Sequence, residues 1–91
     1  MNTTAERISY LGHRYRAAET VSNNVKTPPI LRCRALADTV NVGCEIKEAL
    51  HDATEADRAH ARAILEPLVG AEDAIRLTRE YTEEDIFRGL A

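Results

Sequence analysis

Residues 28–52, PPILRCRALADTVNVGCEIKEALHD, sort into two faces when wound as a helix. Leu36, Val40, Gly43, Ile46 and Leu50 follow one another by three or four residues, and Cys33 extends that stripe backwards. Arg34, Asp38, Asn41, Glu45, Glu48 and Asp52 keep the same spacing on another side. A strand would mix the two sets, because its side chains alternate with a period of two. The stretch therefore predicts an amphipathic helix over 28–51, with Thr27 as a cap and proline in the first turn, where no helical N–H is lost. Gly43 falls in the apolar stripe, at a cost of about 1 kcal/mol relative to alanine, and a close helix crossing there is the expected compensation.

Working towards the N-terminus, Thr3 and Glu6 have the spacing of a capping box and open a helix over 4–22. Its stripe is Ile8, Leu11, Tyr15 and Ala18, continued by Val21 or Val25. Ser22-Asn23-Asn24 ends it, since asparagine tolerates the left-handed backbone of a helix stop. Towards the C-terminus, Asp52 to Glu55 offers two caps and hence a turn. Ala61, Ile64, Leu65, Leu68, Ala71 and Ile75 then stay in phase across Pro67 and Gly70, which predicts one helix over 54–80, kinked near Pro67. Thr82 and Asp85 mark a short last helix over 83–89, with Phe87 anchoring it. The expected fold class is all-α: a small helical bundle of three main helices plus a short C-terminal helix, in one domain over 1–91. Its expected core is Ile8, Leu11, Tyr15, Leu36, Val40, Ile46, Leu50, Ile64, Leu68 and Ile75.

Composition narrows the classes. The chain has 91 residues, no Trp, one Phe and three Tyr, so the core must be built from aliphatic side chains and alanine. A core of that size leaves a monomer marginally stable, and a homodimer or small homo-oligomer is the expected remedy. No apolar run approaches the roughly 20 residues of a membrane span, and Met1 to Arg16 lacks the apolar run of a signal peptide, so the expected localisation is cytoplasmic. Cys33 and Cys44 on one helix are separated by about 16 Å of rise, which rules out a bridge between them and suggests small apolar packing residues in a reducing compartment.

Catalytic patterns are missing from the sequence: no glycine-rich phosphate loop, no GxSxG, no HExxH, no zinc spacing. Neither an enzyme nor a cofactor is expected. Glu48 with His51, and Asp57 with His60, have the carboxylate-x-x-His spacing of di-iron bundles, but the further bridging carboxylates are not evident and no metal is expected. The charges are unevenly spread. Residues 1–36 hold six basic and two acidic side chains, and residues 37–91 hold six basic and thirteen acidic ones. Two functional readings follow. In the first, an acidic face of Asp38, Glu45, Glu48 and Asp52 engages a basic surface on a protein or protein–nucleic-acid partner. Small, acidic, helical binding proteins of this kind are a common form for inhibitors made by phages and plasmids, anti-CRISPR proteins among them. In the second, Tyr10, His13, Arg14, Lys26 and Arg32 supply stacking surface and positive charge for a small anionic nucleotide. Duplex DNA is not an expected partner, given the net charge of −3. The Arg residues could also simply pair with the acidic helices of the same molecule.

Asn23-Asn24-Val25-Lys26 and Ala61-Arg62-Ala63-Ile64-Leu65 look similar to parts of the pattern of phage sponges that sequester cyclic oligonucleotides. Those proteins are helical hairpins with an early Tyr and a downstream Asn-x-x-Lys. The match is short, and Gly12-His13-Arg14 stands where that pattern has Gly-Tyr-Arg. It does not assign the chain to that family; what it implies is the nucleotide reading.

Overall fold

A computed structural model describes residues 3–79, and these form four helices with no strand among them: α1 (Thr4–Asn23), α2 (Pro29–Ala49), α3 (Glu55–Val69) and α4 (Ala71–Thr78). The expected helix over 83–89 lies outside the described residues. The all-α class is as expected. α1 packs mainly on α2 and then on α3, while α4 packs on α3 and α2.

Local chemistry sets the boundaries. Thr3 Oγ1 accepts from the Glu6 N–H at 3.1 Å, satisfying one of the donors that open α1. α2 starts at Pro29 with Pro28 as its N-cap and no side-chain cap, so Thr27 does not have the capping role expected of it. α3 opens on a full capping box: Thr54 Oγ1 accepts from the Asp57 N–H at 3.1 Å, and the Asp57 carboxylate accepts from the Thr54 N–H at 3.4 Å. Asp52, in the turn before it, has φ 63°. The single kinked helix expected over 54–80 is two helices. α3 runs through Pro67, and the break falls at Gly70, whose φ of 92° and ψ of 158° suit glycine alone. Pro67 stands only two residues before the last residue of α3, where the helix is ending anyway.

The core is Ile8, Leu11, Tyr15 and Ala18 from α1; Ala35, Val42, Ile46 and Leu50 from α2; Ala61 and Leu65 from α3; Ala74 and Leu77 from α4. Three expected core residues, Leu36, Val40 and Ile75, are exposed instead, as are Val21 and Val25. Ile64 and Leu68 are half-buried. On α2 the buried face is turned roughly a quarter turn from the expected stripe. The helix is apolar on most sides, so periodicity cannot choose between faces. Small Ala35 and β-branched Val42 turn inwards with Ile46, while the outward side keeps Leu36 and Val40. Close approach of helices occurs at Gly12 rather than Gly43. A Cβ on Gly12 would sit 2.8 Å from Leu65 and 2.9 Å from Leu68, whereas one on Gly43 would make an ordinary 3.4 Å contact with Leu77.

Candidate functional site

Arg14 joins the two sequence-level readings. It rises from α1 with Nη1 3.0 Å from Glu45 Oε2 and Nη2 3.0 Å from Asp38 Oδ1, both on α2. Its hydrogen bond to Asp38 chiefly raises the Arg14 pKa against its partial desolvation, and Glu45 adds to the effect. Half of the expected acidic face is thus paired with the central cation of the expected basic face. The remaining basic-face residues do not converge. Tyr10 is exposed, with the Arg14 guanidinium 5.9 Å from its ring centre, and His13 is exposed nearby on α1. Lys26 sits in the α1–α2 turn, past Asn23, which is already about 14 Å of helical rise from Arg14. Its N–H donates to Asn24 Oδ1 at 3.0 Å. Arg32 Nε donates to the Ser22 carbonyl at 3.4 Å, which ties α2 to the end of α1.

The other expected acidic residues, Glu48 and Asp52, remain exposed. Asp52 stands beside a cleft of about 300 Å³ between the α2–α3 turn and the first turn of α1. Ala5, Ala49, Ala53 and Ile64 give the cleft accessible apolar lining above the buried Ile8, Leu50 and Ala61, and His51, Asp52, Asp57 and His60 give it polar lining. The capping box fixes Asp57 there, and the left-handed residue at position 52 turns the chain back towards α3. Among the described residues no three His, Cys, Asp or Glu side chains are grouped so as to hold a metal ion. The carboxylate-x-x-His spacings bring His51, Asp57 and His60 to one cleft, and Glu48 is not part of its lining.

Two polar clusters escaped the sequence reading. Arg58 is buried, and its Nη1 and Nη2 donate to the carbonyls of Thr78 (3.0 Å) and Leu50 (3.1 Å), which close α4 and α2. Lys47 Nζ donates to the carbonyls of Arg76 (3.0 Å) and Arg79 (2.7 Å). Cations at helix C-termini are favoured by the unpaired carbonyls and the helix dipole. The available signal was the phase of Arg58, three residues before Ala61 and seven before Leu65 on the buried side of α3. The second cluster joins α1 to α4. Arg76 Nη2 donates to Tyr15 Oη at 2.6 Å and to Asp73 Oδ1 at 3.1 Å, and Glu19 lies against Asp73. Burial pushes the Tyr15 hydroxyl pKa up. Burial, followed by the charge and hydrogen bond of Asp73, pushes the Glu19 carboxyl up.

No helix among the described residues is long and apolar enough to cross a membrane. Comparison with protein families, with characterised proteins and with solved structures finds no match for the chain.

Proposed function

We propose that the protein is a non-enzymatic binding protein that occupies a basic surface of a protein partner through the corner formed by the α2–α3 turn. The observation that carries this reading is the cleft with Ala5, Ala49, Ala53 and Ile64 as accessible apolar lining and Asp52 and Asp57 as carboxylates. A long cationic side chain has matching chemistry: its methylene stem lies along apolar surface while its charged head meets a carboxylate. A partner surface that normally holds nucleic acid offers such side chains, and covering it would inhibit without any chemical step. Asp38 and Glu45 play no part in this contact, because they hold Arg14.

The test uses lysine- and arginine-rich peptides as probes. Titration should shift the amide resonances of Ala5, Asp52, Ala53, Asp57 and His60, with an affinity that falls as salt rises. The Asp52→Asn/Asp57→Asn variant keeps a side chain able to cap α3 and should lose the effect by tenfold or more. A peptide that leaves these amides unmoved, or that binds the variant equally well, would sink the proposal. The nucleotide alternative rests on Tyr10, His13, Arg14, Lys26 and Arg32, and the Arg14 pairings with Asp38 and Glu45 weigh against it. Mono-, di- and cyclic nucleotides are expected to leave the melting temperature unchanged at low salt. A rise would revive that alternative, since a ligand of the folded state stabilises it by mass action.

A further inference from the structure

We infer that the outward face of α2 is the interface of an antiparallel homodimer. This surface is separate from the acidic corner, and the inference does not rest on the proposal above. Ile30, Cys33, Ala37, Val40 and Cys44 are spaced three, four, three and four residues apart, the repeat of a helix–helix seam, and Leu36 lies beside them. All six are exposed, with Ile30 at 66%, Leu36 at 56% and Val40 at 65%. The opposite side of the same helix is fully used against the core through Val42 and Ile46. α2 is therefore apolar on two opposed sides, and a helix of that kind is normally covered on both.

Charge selects a second copy as the cover. On the flank of this seam Arg34 marks the first half of α2 and Glu48 the second, with Asn41 between them. Lys47, which would offset Glu48, has its ammonium on the carbonyls that end α4. A two-fold axis beside Asn41 sets Arg34 opposite Glu48 of the partner subunit, each seven residues from that point, and repeats the contact symmetrically. A parallel pairing would place like charges together instead. The same register brings Ala37 close to Cys44 of the partner subunit and Val40 close to Val40 of the partner subunit. These small side chains let the two backbones approach, and the helix dipoles oppose each other. Neither cysteine forms a disulfide within the chain.

Sedimentation equilibrium of the full chain over a wide concentration range should give twice the chain mass. Val40→Glu should give the single-chain mass with an unchanged helical circular dichroism spectrum, because Val40 is exposed in the protomer. Arg34→Glu should weaken association about three- to tenfold, as expected for two exposed ion pairs, and Arg34→Glu/Glu48→Arg should restore it. Single-chain mass throughout, a Val40→Glu dimer, or a charge swap that fails to restore association would overturn the inference. If Val40→Glu fails to fold, the charge swap decides.

Discussion

Arg14 reaches Asp38 and Glu45 through separate nitrogens, so one guanidinium takes two carboxylates out of play as partner-binding groups. The pairing is solvated, and its contribution to stability is small. Its larger effect is geometrical, because it fixes which side of α2 meets α1. Glu19 shows the opposite situation, a carboxyl facing Asp73 with Arg76 nearby to offset part of the repulsion. The folded-state pKa of Glu19 lies above its ordinary value, so the folded chain holds that proton at pH values where the unfolded chain has lost it. Stability attributable to Glu19 is therefore present below the ordinary carboxyl value and is lost as pH rises through the raised one. Glu19→Gln keeps a donor towards Asp73 and removes the repulsion. It should stabilise the protein at pH 7 by roughly 0.5 kcal/mol or less, because the carboxyl pair is largely solvent-screened. It should also flatten the pH dependence of the melting temperature across that window. Unchanged melting curves between pH 4 and 7 would show that the carboxyl pair has no such effect.

At the scale of the helices, three glycines separate cleanly. Gly43 makes only ordinary contact with Leu77, so Gly43→Ala should stabilise by up to about 1 kcal/mol through helix propensity. Gly12 lies under Leu65 and Leu68, and Gly12→Val should cost about 1 to 3 kcal/mol through overpacking. Gly70→Ala should cost about 1 to 3 kcal/mol from backbone strain alone, since open space surrounds its Cα. Chemical denaturation of the three variants checks all three signs. α1 and the start of α3 were legible in the sequence because capping residues and apolar phase coincide, at Thr3 with Ile8 and Leu11, and at Thr54 with Ala61 and Leu65. The buried side of α2 was not legible, because Leu36 and Val40 outweigh Ala35 and Val42 in any count of apolar residues. Arg14 identifies the inward side, and that is a contact between residues far apart in sequence. The α3–α4 break was misplaced because proline is the louder signal, while a φ of 92° leaves no mark beyond a glycine. The cleft depends on the meeting of α1 with the α2–α3 turn, so its carboxylates and histidines could be identified by spacing but not grouped.

For the molecule as a whole, the ends of three helices meet at one buried cation. Arg58 leaves α3 and donates to the last carbonyls of α2 and α4, while Arg62 Nε approaches Thr78 Oγ1 at 3.3 Å. α4 has only eight residues, too few to persist alone in water, so its stability must come from these contacts and from Ala74 and Leu77 in the core. Removing the guanidinium leaves the Leu50 and Thr78 carbonyls without that donor in a buried setting. Each such loss costs about 1 to 3 kcal/mol. Against a total stability of roughly 5 to 15 kcal/mol, this is a large share for one surface-type residue. Arg58→Met preserves the apolar stem and should lower stability by about 2 to 3 kcal/mol, or roughly 10 to 20 °C in melting temperature for a domain this small. Arg58→Lys should recover only part of the loss, since one ammonium cannot reproduce the fork that reaches two helix ends. Amide exchange in Arg58→Met should then accelerate first in α4 and at the end of α2. If exchange rises uniformly, or if Lys restores full stability, the guanidinium is not the group that ties these helices together.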